Sequence, residues 1–500
     1  MTASKASHFL SIADQFKLGH LETESFHPLT RQLSQTVQED VFLALRTLQQ
    51  VDEMALKLMR DRSDVIWEMA MAIQNTLKAG HKVFMCGCGA TGRLSLVLET
   101  LYRQKYSDSQ QVISFMAGGD FALIKSVESF EDKVEYGERQ LKELGFSEND
   151  LLLSPTEGGE TPFVIGATNL ASQLSTRPPF FLYCNPDHLL MNIQRSKEVI
   201  QNPRIKKVNL SVGPMAISGS TRMQASTVLM LAIGVGLLYQ HNDQNEFKQF
   251  YLNFLDKLIS TDYTKMEKLT TLEAGLYKDK KHLNYISDSY FGISILTDTT
   301  ERSPTFSLRS FENRLDSGHE HSLSYLFIRD AENSAQAWSE LLARKPRPVE
   351  WPELDGRIGH EKLLGFDISS HGLHARSMEI PTVDFEIMFD RGHAQFKCLN
   401  EKVNLQLGND QLLNHLVVKM LLNAHSTLVM GLLNRYQGNV MTWVRPSNNK
   451  LIDRAARYIQ QILAQSGKNI SYEAIITNLF EEIESIKDNE SIVIKVVNRF

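Results

Sequence analysis

Five hundred residues, 42% of them hydrophobic and 22% charged, can bury more than one core and exclude both wholesale disorder and a fibrous repeat. Lys+Arg 53 against Asp+Glu 59 leaves a formal charge of −6, the wrong sign for a chain whose affinity rests on neutralising nucleic-acid phosphates. Four cysteines, of which only Cys86 and Cys88 are close together, are too few for a disulfide scaffold and fit a reducing, cytoplasmic setting.

The first sixteen residues carry polar groups where an export signal needs an apolar run. Apolar positions at helical spacing (Val41, Leu45, Leu48, Val51, Met54, Leu58) predict one or two long helices over 35–80. From Lys82 the texture changes to short apolar runs separated by stretches long enough for crossover helices, which predicts strands over 83–86, 112–116, 150–153, 180–183 and 207–210. The longest apolar run, 225–239, is shorter than the roughly 18–20 residues that cross a bilayer and reads as a buried helix. Residues 241–283 read as a helical connection. A second alternating stretch then begins near Tyr285, with strands expected over 292–296, 325–328, 365–368 and 385–389. After about residue 410 the pattern is helical again until a β-branched run at 492–497, read as strand-like. The expected fold is α/β, with two doubly wound parallel-sheet domains related by a pseudo-twofold. Its parts would be an amino-terminal helical segment (1–60), a first domain (61–270), a second (271–430) and a carboxy-terminal helical cap (431–500).

The strongest local signal is a strand, a glycine turn carrying Gly87, Gly89 and Gly92, and a helix, an arrangement that brings backbone amides to an anion at a helix amino terminus. Its literal pattern, G-x-G-x-x-G, also suits a dinucleotide, which wants an acid about 20 positions further on; the nearest strand-end acid is Asp120. Two more hydroxyl- and glycine-rich loops, 154–162 and 218–222, follow predicted strands and would gather at the same sheet edge. Hydroxyls, amides and one arginine around a single pocket suit a terminal phosphate better than a bridging pyrophosphate.

The segments 87–95, 117–120, 128–132, 161–164, 184–186 and 219–223 resemble, in order and spacing, the sugar isomerase (SIS) domain of N-acetylmuramic acid 6-phosphate etherases and of glucokinase regulatory protein. The resemblance spans roughly residues 20–470, and it implies two SIS domains with a carboxy-terminal lid shorter than the regulator's. It places Gly89, Ala90 and Thr91 in the first phosphate loop, Thr156 and Gly158 in the second, and Glu128, Glu160, Ser220 and Arg222 around the ligand. Lys419 matches a phosphate-contacting lysine, and Glu131 and Glu301 match two glutamates that would be the catalytic acid and base if the chain is an enzyme.

The implied function is a sugar-phosphate sensor of the regulatory-protein kind, partnered by a sugar kinase, without cofactor, metal, nucleic acid or membrane. The alternative is an etherase-like lyase or a phosphosugar isomerase. Departures from the family pattern bear on the number of sites. Ala90 removes a hydroxyl, and Glu157 and Glu160 bring negative charge into the second loop. Leu101 stands where the first half's own copy of the second glutamate would be, and Asp288 with Tyr290 and Phe291 crowds the second half's glycine loop. One working site is expected. His319 and His321, with His371 and His374 further on, read as a solvated loop and not as metal ligands.

Overall fold

The computed structural model describes residues 2–107, 109–127, 130–318, 320–446, 448–487 and 490–500. Glu128, expected near the ligand, and His319 lie outside the described residues.

Four helices open the chain: α1 (Thr2–Ile12), α2 (Leu33–Glu39), α3 (Val41–Leu58) and α4 (Ser63–Lys78). Asp40 starts α3 by accepting from the Leu43 N–H at 2.9 Å, and Leu45, Leu48, Val51 and Ala55 then fall on its buried face. The first sheet follows through β1 (Val83–Gly87), α5 (Ala90–Lys105), β2 (Val112–Met116), α6 (Val134–Glu143), β3 (Leu151–Pro155), α7 (Pro162–Leu174), β4 (Phe180–Tyr183), α8 (Asp187–Leu190), α9 (Gln194–Gln201), β5 (Lys206–Asn209) and α10 (Gln224–Leu238). Its order is β2-β1-β3-β4-β5, every pairing parallel. All residues of β1 to β4 are buried because helices cover both faces, which is why these strands read as continuous apolar runs.

Two helices, α11 (Gln244–Ile259) and α12 (Glu267–Lys278), lead to the second sheet. It is built from β6 (His282–Ser287), α13 (Gly292–Phe306), β7 (Ser324–Ile328), α14 (Ser334–Leu342), α15 (His360–Leu364), α16 (Ser370–Glu379), β8 (Thr382–Asp390), β9 (His393–Cys398) and β10 (Glu401–Gln406). The order is β10-β9-β8-β6-β7, with β6 parallel to β7 and β8, and an antiparallel β8-β9-β10 meander completing one side. The chain closes with α17 (Gln411–Leu432), α18 (Asn449–Gln465), α19 (Tyr472–Ile483) and α20 (Ile492–Val497).

Three strand expectations are corrected. Residues 292–296 are the first turns of α13, and the strand lies just before them in β6. Residues 365–368 form no strand; the Ile368 carbonyl accepts one hydrogen bond from the Ile328 N–H at 2.8 Å. The run 492–497 is helical, started by Ser491, whose hydroxyl accepts from the Ile494 N–H at 3.2 Å.

The two halves share a three-strand centre. Val83 pairs with Val112 and Leu151 in the first sheet, and Leu283, two hundred positions on, pairs with Ser324 and Val383 in the second. On this register Arg93 corresponds to Ile293, and Leu101 to Glu301.

The halves meet where α5 packs on α13 and where α10 packs on α17. All of α10 and nearly all of α17 are buried, so the two helices form the hydrophobic spine between the sheets. Arg344 and Arg347 of the second half clamp the first: Arg344 donates to Asp120 at 2.6 and 3.0 Å, and Arg347 to buried Glu99. Burial alone would raise the Glu99 carboxyl, but Arg344 and Arg347 hold it at about 2. Among the described residues no helix is long and apolar enough to cross a membrane.

Candidate functional site

A cavity of about 360 Å³ opens between the halves, at the carboxyl ends of the first sheet's central strands. Its floor is the amino-terminal turn of α5. Gly87 and Gly92 allow that turn to sit tight on the sheet. A Cβ at Gly87 would lie 2.3 Å from the Gly92 nitrogen, and one at Gly92 would lie 2.4 Å from the Met116 Cβ. Gly89 has φ +54° and open space where a side chain would be, so its backbone faces the cavity bare.

Of the expected ligand residues, Gly89, Ala90, Glu131, Ser220, Arg222 and Glu301 line this cavity. Ser220 is 5% exposed and its Oγ has no hydrogen-bond partner, and the Arg222 Nε is likewise buried and unpartnered. Arg222 spends its other nitrogens on Asp298 at 3.1 Å and Thr427 at 3.0 Å. Arg93 of α5 donates to Glu301 of α13 at 3.1 Å, joining the two halves within the cavity wall. The first turns of α18 close one side of the cavity. Lys450 Nζ lies 2.9 Å from Glu160 and 3.7 Å from Glu131, and despite its burial these carboxylates hold it firmly charged. Arg454, another lining residue, donates to Glu24 in a bidentate pair.

Five expected residues lie behind this wall. The Thr91 hydroxyl accepts from the Cys88 N–H at 3.0 Å and donates to the Cys88 carbonyl at 2.9 Å, stapling the glycine turn. Thr156 is buried against Thr161, their hydroxyls 3.1 Å apart, and the Gly158 carbonyl accepts from Asn185 at 3.0 Å. Burial alone would raise Glu160, but Lys450 and Arg195 hold it at about 2. Lys419 does not line this cavity. It donates to the Arg222 carbonyl at 2.9 Å, to Thr227 at 2.9 Å and to Asn423 at 2.9 Å, bracing the 220–223 loop from below. Burial pushes its ammonium down to about 8.

Two acids outside the set of expected ligand residues stand out. Glu157 lines the cavity, and burial pushes it up to about 7, although the Ser226 hydroxyl donates to it. Asp132 is pushed up to about 6, first by burial and then by Glu131 and Glu160. Asp120, the candidate ribose-binding acid, is spent on Arg344. The second half's turn has its own internal anion: Asp288 accepts from the N–H groups of Tyr290, Phe291 and Phe389 at 3.1, 3.3 and 2.8 Å. His321, from the histidine pair, lies 3.0 Å from Glu312. Lys450 and Arg454 are not among the expected site residues because fold contacts, not sequence spacing, bring them to the cavity, whereas Arg93 stands within the glycine-turn segment itself.

The family model of the glucokinase regulatory protein N-terminal SIS domain matches residues 65–172. An N-acetylmuramic acid 6-phosphate etherase of Yersinia pestis is 31% identical over 222 residues, which is 44% of this chain and 70% of the relative. One of Vibrio atlanticus is 28% identical over 222 residues, covering 67% of its length. Among solved structures, the tagatose-6-phosphate ketose/aldose isomerase of Escherichia coli aligns over 76% of this chain and 91% of its own, with 9% identity and a TM-score of 0.39. The chain belongs to the SIS-domain family that includes the N-acetylmuramic acid 6-phosphate etherases.

Proposed function

We propose that the chain binds a phosphorylated hexose or hexosamine in the cavity between its halves and acts as a sugar-phosphate sensor. The observation that carries the binding is the pair of unpartnered, buried polar groups at the 219–222 loop, Ser220 Oγ and Arg222 Nε, beside the bare amino-terminal turn of α5. A buried donor without a partner costs about 1–3 kcal/mol, and an anion at this place removes that cost while meeting the positive end of the helix. In this reading Gly89 and Ala90 offer amides, Ser220 and Arg222 offer donors, and Glu131 and Glu301 hold sugar hydroxyls. Thr91, Thr156, Gly158, Glu160 and Lys419 shape the loops around them.

The sensor reading is supported by what surrounds the cavity. Its wall draws on the first half (Arg93, Glu131), the second half (Glu301) and the segment at α18 (Lys450, Arg454), so a ligand there touches three separately built parts. A ligand that fits one arrangement of those parts better than another shifts their equilibrium and with it a partner surface, for which a sugar kinase is the proposed class. The register that equates Arg93 with Ile293 and Glu301 with Leu101 leaves one such site among the described residues.

A second reading, an etherase-like lyase, is favoured by the placement of Glu131 and Glu301 on the same cavity and by the printed activity of the relatives. One carboxylate would take a proton beside a carbonyl and the other would protonate the departing oxygen. Incubation with N-acetylmuramic acid 6-phosphate and measurement of D-lactate separates the two. Binding without turnover supports the sensor, and sustained release that Glu131→Gln abolishes overturns it.

A further inference from the structure

The cavity's carboxylates differ in their partners. Glu301 has Arg93 at 3.1 Å, Glu160 has Arg195 at 2.6 Å and Lys450 at 2.9 Å, and Glu131 has Lys450 at 3.7 Å. Among the described residues, Glu157 has no cation within ion-pair distance. Its neighbours are the Ser226 hydroxyl of α10, Thr221 of the adjacent loop, and, further off, Glu301 of α13 and Lys450 of α18. A buried carboxylate that lines a cavity beside a second acid, attracted by Lys450 and Lys419 but paired with neither, is costly to keep ionised without a ligand. Burial and, less strongly, Glu301 push its carboxyl up to about 7, whereas Glu160 behind the wall, paired with Lys450 and Arg195, is held at about 2. Inside the protein the carboxylate is hydrogen-bonded by hydroxyls alone, in a loop otherwise suited to an anion.

We infer that the ligand is a hexosamine phosphate with a free ammonium group, and that Glu157 is the specificity-determining residue that receives the ammonium while the α5 turn and the 219–222 loop receive the phosphate. This rests on the sugar-phosphate reading of the cavity and goes beyond it in naming the second charged group of the ligand. The ammonium supplies the missing cation between Glu157 and Glu301, and the ligand's two charged ends then match two oppositely charged regions of one cavity. An N-acetyl group on the same nitrogen removes the charge and adds bulk, leaving Glu157 buried without compensation.

The test is calorimetric titration of the intact chain with glucosamine 6-phosphate, N-acetylglucosamine 6-phosphate and fructose 6-phosphate, for the wild type and for Glu157→Gln, with thermal melts to verify that the variant is folded. The expected result is tightest binding of glucosamine 6-phosphate, at least tenfold over its N-acetyl form, with that preference lost in the Gln variant while fructose 6-phosphate binding persists. Equal or tighter binding of the N-acetyl or fructose compound by the wild type, or a preference unchanged in the variant, overturns the inference and leaves the sugar-phosphate reading standing. No binding of any of the three overturns both.

Discussion

Arg93 of the first half and Glu301 of the second form an ion pair of 3.1 Å, their side chains only 2% and 9% exposed. Arg93 also donates to the Ala122 and Leu123 carbonyls at 3.1 and 3.2 Å, so one guanidinium fixes α5, the loop after β2 and α13 together. At the corresponding positions of the other pseudo-equivalent surface stand Ile293 and Leu101, both fully buried. The same helix pair thus offers a polar solution on one side and an apolar one on the other.

Removing one partner strands a buried charge: Arg93→Ala or Glu301→Ala is expected to cost about 3–5 kcal/mol, read from urea unfolding. The double change Arg93→Ile with Glu301→Leu, which copies the other side, should recover at least half of that loss and still abolish ligand binding. A double variant no more stable than the singles would show that the pair is not the dominant coupling.

Lys419 is expected to act through the loop it braces. Lys419→Met should weaken sugar-phosphate binding about tenfold or more by leaving the Arg222 carbonyl without its donor, at about 1–3 kcal/mol, and releasing the 220–223 loop. Stability and affinity should fall together; affinity lost without any change in melting temperature would instead place the ammonium on the ligand.

The pH dependence has two limbs of opposite sign. Glu24, Glu99 and Glu160 are held at about 2, below the ordinary 4.5, so their stabilisation is complete above about 4.5 and is lost as the pH falls toward 2. Glu157 is raised to about 7, so its contribution is present below 4.5 and is lost as the pH rises through 7. Glu157→Gln should therefore stabilise the ligand-free chain by about 1–3 kcal/mol above neutrality and leave it unchanged near pH 4.5, measured by denaturant unfolding at both pH values.

Asp288 closes the second half's turn with its own carboxylate. Asp288→Ala leaves three backbone N–H groups without their acceptor and should cost about 1–3 kcal/mol, while sugar-phosphate affinity at the other cavity stays within twofold. A large loss of affinity would mean that the second turn belongs to the ligand site.

The first sheet was legible because β1 to β4 are covered on both faces and so read as apolar runs; the expected runs meet β1 to β5 within a residue or two, although β5 is the partly exposed edge. The stretch 292–296 misleads for the same reason in reverse. A helix start buried on every side, Gly292-Ile293-Ser294-Ile295-Leu296, carries no polar face to reveal its period. The β9–β10 meander was missed because its outer residues are exposed and polar, although the left-handed pair Arg391 and Gly392, with φ of 47° and 83°, marks the β8–β9 turn. In the site, glycine turns and hydroxyl loops could be read locally. The cations Lys450 and Arg454 could not be read that way, since they meet the cavity through a chain separation of several hundred residues.

The central claim is that one phosphorylated sugar sits between the two halves with its phosphate at the α5 turn. A crystal structure of the chain with glucosamine 6-phosphate tests it most directly. The account predicts the phosphate within hydrogen-bonding distance of Ser220 Oγ and the backbone amides at Gly89 and Ala90, with the sugar between Glu131 and Glu301. A sugar phosphate bound at saturating concentration on any other surface, with this cavity left to solvent, would contradict it.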